Sequence, residues 1–454
     1  MCIRDRFLYT NFLTDEYYGL VTYLLSTANL LMPLTAFGVQ YSIVKFFSSY
    51  TSKLERDKFL SASLLFPLLI ALPFGFFGTV FYEQIGNYLS LENAIIKEYT
   101  WVIYLVAIAT AYFEIFYAWA KVQMQSVFGN ILKEMFSRIA AMILLMLVFL
   151  EVIDQVEFIY YLTGAYFFRA LVMLFYALKL YKPTFVFSLP KNYKEVFKYA
   201  SYIILAGSAG AILLDIDKFM IPQKEALAYA AYYSVGVYIA SLLEAPGRAM
   251  AQIIQPITAK ALNEDNKSEI LKLYKSTSIN LLLICGLFFL LINLNINQAY
   301  LLIDEKYSQG IWVVFMISVA KLYTMALGNN GAIISNSKHY KILLPYSIAM
   351  ALAVIILNNW LISVYKMNGA ALSTLIVLLF FNTVKIWYVK KRFNIQPFTI
   401  KTMYLLLVLG CLYGLFFFWD FSFHPIVTIG SVSYTHLRAH ETLMNLVCRL
   451  LLEK

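Results

Sequence analysis

Twelve apolar stretches recur along the 454-residue chain, at 20–44, 60–81, 99–120, 131–153, 156–178, 199–216, 226–247, 277–296, 311–334, 342–362, 367–384 and 402–419. None alternates apolar and polar residues as a barrel strand would, and about 20 residues of helix cross a hydrocarbon core roughly 30 Å thick. In lipid a backbone must satisfy its own hydrogen bonds, which leaves helices for runs of this kind. The pattern predicts an all-α polytopic membrane protein.

The loops support the count. Loops 45–59, 121–130, 179–198, 248–276, 335–341 and 385–401 together hold 22 Lys and Arg, whereas 82–98, 154–155, 217–225, 297–310 and 363–366 hold 5. Glu83, Glu92, Glu98, Asp154, Asp217, Asp304 and Glu305 fall in the second set. The positive-inside rule therefore assigns the first set to the cytoplasm. One missed or invented helix would invert the alternation beyond it.

Composition changes the picture little. Apolar residues make up 61% and charged residues 14%, against roughly 25% charged in a soluble domain. The net charge of +10 lies beside anionic lipid, where it sets topology, so nucleic acid is not an expected partner. Cys285 and Cys411 fall inside separate spans and offer neither disulfide nor metal-ligand spacing. No GxxxxGK[ST] loop is present, so direct nucleotide use is not expected, and no cofactor is.

Residues 1–6 and 431–454 read as translated sequencing-adapter sequence, foreign to the fold. They carry Cys2, Cys448, His436 and His440, the last two being half of the four histidines in the chain. The remainder starts on the outer side with Asp15 and Glu16, which implies a missing first helix that began in the cytoplasm. That gives a first lobe at 7–178 and a basic linker at 179–198, with Lys179, Lys182, Lys191, Lys194 and Lys198 beside Pro183 and Pro190. A second lobe follows at 199–384, then one extra helix within 385–430. Both lobes begin on the same side, as in transporters built from parallel repeats. A faint echo joins Tyr18, Tyr23 and Pro33 to Tyr233, Tyr238 and Pro246. In loop 248–276, Ile270, Leu271, Leu273 and Tyr274 alternate with Lys267, Lys272 and Lys275 after Asn263 or Asn266, predicting a surface helix on the cytoplasmic leaflet.

Several segments carry a family resemblance. Thr14-Asp15-Glu16-Tyr17-Tyr18-Gly19-Leu20 leads to Pro33-Leu34-Thr35-Ala36-Phe37-Gly38 and Ser42-Ile43-Val44-Lys45-Phe46-Phe47. Leu214-Asp215-Ile216-Asp217-Lys218-Phe219-Met220-Ile221, Glu244-Ala245-Pro246-Gly247-Arg248 and Asn368-Gly369-Ala370-Ala371-Leu372-Ser373-Thr374 follow. Together these resemble the polysaccharide and oligosaccharidyl-lipid flippases of the MATE-like exporter superfamily. The resemblance implies a MATE-like fold of two six-helix lobes around a central cavity. This chain would hold about 12 of the family's usual fourteen helices, lacking the first and the last. It also implies a bacterial cytoplasmic membrane and a polyprenyl-diphosphate-linked oligosaccharide as cargo, an O-antigen, capsule or exopolysaccharide repeat unit. Membrane lipids and glycan polymerase machinery are the other implied partners.

Charges within the spans are the candidate site, because an ionised group at mid-membrane costs about 2.5–3.5 kcal/mol on insertion scales. Arg169 and Lys321 lie near the middle of their spans, one in each lobe. Facing each other across a cavity, they would receive a diphosphate, Arg through its planar fork and Lys as a point charge. Arg138 is the third candidate for that role. Glu114 is a proton or sodium site, or else the partner of Arg138 or Arg169. Glu134 and Arg138, four residues apart, should pair with each other. Asp215, Asp217 and Lys218 at the outer end of their helix are further coupling candidates for H+ or Na+. Glu244 and Arg248 bracket Pro246 as a gate or a local ion pair. No catalytic residue or metal site is expected. Two other functions compete: a multidrug antiporter of the same fold, which would want an anionic or apolar cavity, and a glycan polymerase or glycosyltransferase. The longest outer loop, 82–98, lacks the spaced carboxylates that an enzyme of that kind would need.

Overall fold

The computed structural model describes residues 9–186 and 188–417. The adapter-like ends at 1–6 and 431–454 lie outside the described residues, with Cys2, Cys448, His436 and His440. Every regular element among the described residues is helical. Two compact units emerge, one holding the chain up to Ala231 with Ser347–Ile355, the other Tyr232–Tyr346 and the chain from Ile356.

The first unit contains α1 (Asp15–Ala36), α2 (Val39–Phe46), α3 (Lys53–Val80), α4 (Tyr82–Leu89), α5 (Ile96–Val122), α6 (Val127–Ile131), α7 (Ser137–Phe149), α8 (Gln155–Leu180) and α9 (Tyr193–Met220). Helix starts follow local chemistry. Ser52 accepts from Glu55 N, and Asp154 and Glu157 form a reciprocal capping box with bonds of 2.7 and 3.0 Å. Helix α5 is the hub, with α1, α2 and α8 all packed against it, while α9 lies on α1 and α2. Its Phe113 and Trp119 are fully buried, as are Tyr18 and Tyr23 of α1.

The break between α1 and α2 follows Pro33, where the backbone turns left-handed at Phe37 (φ 46°) and Gly38 (φ 67°). A Cβ on Gly38 would fall 2.6 Å from Ile203 Cγ2 and 2.9 Å from the Ala200 carbonyl oxygen of α9. Both the turn and the close crossing therefore require glycine.

Helix α10 (Leu227–Ser241) crosses the division between the units and ends in a 3-10 turn, Leu242–Glu244. The second unit continues with α11 (Ala245–Asn263), α12 (Lys267–Leu294), α13 (Ile296–Ile303), α14 (Ile311–Ala326), α15 (Asn330–Ser335), α16 (Leu343–Phe393) and α17 (Ile400–Phe417). Here α12 is the hub, contacted by α11, α14 and α17. The echoed tyrosines of this unit, Tyr233 and Tyr238, are buried like their counterparts in α1.

Among the described residues eight helices are long and apolar enough to cross a membrane, against twelve expected spans. Four physical features account for the difference. Helix α16 joins 342–362 to 367–384 across Lys366, whose φ of 55° and ψ of −138° are not helical. Gly369 lets the two halves meet, since a Cβ there would lie 2.0 Å from the Leu361 carbonyl oxygen, and Ala370 and Ala371 are buried beside it. Span 131–153 is interrupted by a π turn at Leu132–Phe136, and 226–247 by the turn at Leu242–Glu244. The apolar helix at Ile400–Phe416 is short.

One further expectation is corrected. The amphipathic stretch after Asn266 is no separate surface helix but the first turns of α12, capped by Asn266 through Glu269 N at 3.1 Å. Ile270 and Tyr274 are buried there, and nothing between Lys275 and Thr277 breaks the helix. Linker 179–198 leads into α9, which packs with the first unit. The linker itself is strapped onto α3. Tyr181 Oη donates to Asp57 Oδ1 at 2.7 Å, Thr184 N to Asp57 Oδ2 at 3.1 Å, and Val186 N to Ser61 Oγ at 3.2 Å. Burial and the Asp57 carboxylate push the Tyr181 phenol up to about 12.

Candidate functional site

Arg169, in the middle of α8, is a buried cation of the first unit, only 6% exposed. Its Nη1 donates to Ser137 Oγ at 2.7 Å, and its guanidinium lies 4.3 Å from the Phe113 ring centroid and 4.8 Å from that of Tyr166. No carboxylate among the described residues is in ion-pair contact with it, and Nε has no hydrogen-bond partner. Cation–π contacts of about 1–2 kcal/mol each and one charged hydrogen bond of about 1.5–3 kcal/mol together at least offset the insertion cost of an isolated cation, about 2.5–3.5 kcal/mol. Arg169 can thus stay buried and ionised without surrendering its charge to an acid.

Glu114 of α5 pairs with Lys133 at 2.6 Å rather than with Arg138 or Arg169. The π turn carries Lys133 and Glu134, and Ser137 begins the next helix. The widened turn therefore presents Lys133 to Glu114 while Ser137 reaches Arg169. Such turns concentrate at functional positions in helices. Lys121, at the end of α5, stands over the Tyr117 ring at 3.9 Å and also feels the Glu114 carboxylate. Three cations, Arg169, Lys133 and Lys121, share the field of one carboxylate. Arg138 takes no part, since its Nη2 pairs with Glu134 at 3.0 Å on the exposed side of the helix, as helical spacing predicts.

The second unit treats its deep cation differently. Lys321 of α14 pairs with Glu244 at 2.9 Å, with both side chains largely buried (16% and 29% exposed). Glu244 closes the 3-10 turn and α11 starts at the next residue, so the break before Pro246 is what aims it at α14. Arg248 is exposed.

At the far end of α9, Lys218 pairs with Asp215 at 2.8 Å, and Asn29 Nδ2 of α1 donates to the other Asp215 oxygen at 3.3 Å. Asp217 is buried. Asp215 and Lys218 are thus brought together, tied to α1 by one amide. Sequence reasoning missed Lys133, Ser137 and Asp57. Lys133 carried no signal beyond its place near a span end, and Ser137 none at all.

The match to known proteins follows this architecture. Residues 5–262 match the model of the polysaccharide biosynthesis protein family. The chain belongs to that family. No curated protein matches it in sequence. Among solved structures, the lipid II flippase MurJ in an inward closed conformation is similar at a TM-score of 0.73 and 15% identity, over 97% of this chain and 96% of that one. An inward-facing multidrug resistance MATE family transporter of the MOP superfamily is similar at 0.64 and 14%, over 86% and 93%. A MOP superfamily transporter from Pyrococcus furiosus is similar at 0.53 and 12%, over 86% and 90%. At these identities the likeness is one of fold. This polysaccharide biosynthesis protein is an all-helical, multi-pass membrane protein with the MurJ/MATE-like fold.

Proposed function

We propose that the chain flips a polyprenyl-diphosphate-linked oligosaccharide from the cytoplasmic to the outer leaflet of a bacterial cytoplasmic membrane, by alternating access. Family membership and the fold shared with a lipid II flippase support the reading. The observation that carries it is Arg169: a buried guanidinium held by a hydroxyl and two aromatic rings, with no acid among the described residues in ion-pair contact. A guanidinium so held keeps its planar donors for a phosphate, the anion it matches best. Lys133 and Lys121 add positive charge around Glu114, which would draw a diphosphate toward α5 and α8. The prenyl tail stays in lipid, and no covalent step is required. Glycan polymerase machinery would act on the delivered lipid afterwards.

Coupling to H+ or Na+ is assigned to the Asp215–Lys218 pair with Asp217, at the end of α9 opposite the linker. A multidrug antiporter is the weaker reading, because a cationic group at depth repels the organic cations such a protein carries. The test is complementation of a strain lacking its repeat-unit flippase, scored by surface glycan, with efflux of cationic dyes measured in parallel. Restored glycan by the wild type and loss of it with Arg169→Gln are expected. Restored dye efflux without glycan would overturn the proposal.

A further inference from the structure

A second site lies in the first unit, away from Arg169. A cavity of about 700 Å³ opens between α2, α3, the start of α9 and the linker strap, within the 300–1,000 Å³ range of sites that hold whole small molecules. Its walls are apolar, with Phe59, Phe66 and Leu69 from α3 and Val196 and Phe197 from α9. Polar groups enter at few points: Ser42, Ser63, Ser188, Tyr193 and Lys194. Lys194 is exposed, and Lys191 and Lys198 flank it in sequence.

The strap that forms one wall is built rather than loose. Asp57 and Ser61 hold its backbone at Thr184 and Val186. At its other end the Tyr50 hydroxyl bonds Asn192, and Arg56 Nε holds the Tyr50 carbonyl at 2.7 Å. The wall residues Ser188, Leu189 and Pro190 lie between these two anchors, and Val186 lines the cavity at the first. A hole with an apolar interior is therefore kept open beneath a hydrogen-bonded strap, with a cation beside it.

Its dimensions identify an occupant. The α3 wall runs from Phe59 to Leu69, ten residues of helix or roughly 15 Å, about half of a 30 Å hydrocarbon core. It begins near the end of α3 that the charge bias assigns to the cytoplasm. We propose that the cavity binds an anionic phospholipid of that leaflet, one acyl chain lying along α3 and the phosphate meeting Lys194. Lys194 is the one cation among the lining residues, which suits a phosphodiester bearing one charge, whereas a diphosphate would call for paired or guanidinium donors among them. The wall also spans one leaflet, the length of an acyl chain and not of a polyprenyl tail. Bound there, the lipid links the strap to α3 and makes the position of the linker sensitive to lipid composition.

The experiment uses the full chain reconstituted in vesicles of phosphatidylcholine with a trace of phosphatidylglycerol bearing a photoactivatable group in mid-chain. After irradiation, label is expected on peptides covering 59–69 and 193–200. Unlabelled phosphatidylglycerol should compete about fivefold better than phosphatidylcholine, the effect of one lysine at roughly 1 kcal/mol. Lys194→Gln should bring that preference to parity while labelling persists. Ala62→Phe, which fills the cavity from its α3 wall, should abolish the labelling. Equal labelling with Ala62→Phe overturns the site, and a preference unchanged by Lys194→Gln overturns the headgroup contact. That second variant lies at an exposed position and tests the idea even if the first folds poorly. Displacement of the label by undecaprenyl diphosphate at concentrations where phosphatidylglycerol fails would overturn the assignment to phospholipid.

Discussion

Arg169 and Lys321 are handled in opposite ways. Lys321 is neutralised by Glu244 at 2.9 Å, whereas among the described residues the polar and cation–π contacts of Arg169 are a hydroxyl and two rings. Their sequence contexts are alike: each lies in the middle of an apolar helix. What separates them is the break in a neighbouring element. The 3-10 turn at Leu242–Glu244 delivers a carboxylate to Lys321, while the π turn at Leu132–Phe136 turns its lysine toward Glu114 and so takes that acid away from Arg169. A paired cation holds helices together. On the proposed function, the one held by a hydroxyl and two rings is kept for an anionic ligand.

That contrast is sharpest in activity. Arg169→Gln should lower translocation by roughly 30-fold or more, since losing one charged partner of a desolvated contact costs about 2–5 kcal/mol. Arg169→Lys should recover only part of this, because an ammonium lacks the planar fork. Initial rates of lipid-linked oligosaccharide translocation in proteoliposomes measure both. If Lys321→Gln were the more damaging of the two, the roles argued for them would be reversed.

The second prediction concerns stability and reverses the order. Removing Lys321 alone, as Lys321→Met, leaves Glu244 partly buried and unpaired. Between the 3–5 kcal/mol of a fully buried pair and the near-zero value of an exposed one, a cost of about 2 kcal/mol is expected. Glu244→Leu alone should cost a similar amount, and the double variant should recover most of it. Denaturation in mixed micelles gives the cycle. A double variant as unstable as the sum of the singles would show that the pair is not a unit.

Local pairings were legible in the sequence, and distant ones were not. Glu134–Arg138 follows from helical spacing, and the capping box at Asp154 and Glu157 from its own short motif. Lys321–Glu244 and Lys133–Glu114 join different elements, and each depends on an irregular turn that no periodicity announces. The same limit explains the spans. Hydropathy placed apolar segments well, because lipid demands them, but it does not register the left-handed residues Phe37 and Lys366. The small-residue run at Gly369 was readable as a close approach, which a carbonyl oxygen 2.0 Å from its missing Cβ makes concrete. The strap escaped notice because Asp57 looked like one more charge in a basic loop.

The hydroxyl beneath Arg169 gives the third and smaller effect. Ser137→Ala removes the acceptor of Nη1 and leaves a second guanidinium nitrogen without a partner, beside Nε. The expected cost is about 1–3 kcal/mol in stability, with the variant still able to bind a diphosphate analogue. Bound ligand should then restore part of the lost stability, because phosphate oxygens replace the missing acceptor. Thermal midpoints with and without inorganic pyrophosphate report this directly. A midpoint shift equal to that of the wild type would mean that the ligand does not reach Arg169.

The smallest effect belongs to Arg138, and it separates a site residue from a surface one. The Arg138–Glu134 pair is four residues apart, and both side chains are a third or more exposed (34% and 55%). Such pairs contribute about 0.3–0.5 kcal/mol and weaken with salt. Glu134→Gln should therefore shift the thermal midpoint barely at all and leave translocation unchanged. Arg138→Gln should do the same if the charge is spent locally. A fall in translocation with Arg138→Gln that Glu134→Gln does not reproduce would instead place Arg138 on the path of the diphosphate. The contrast between a committed cation and an available one would then run within one helix as well as between the units.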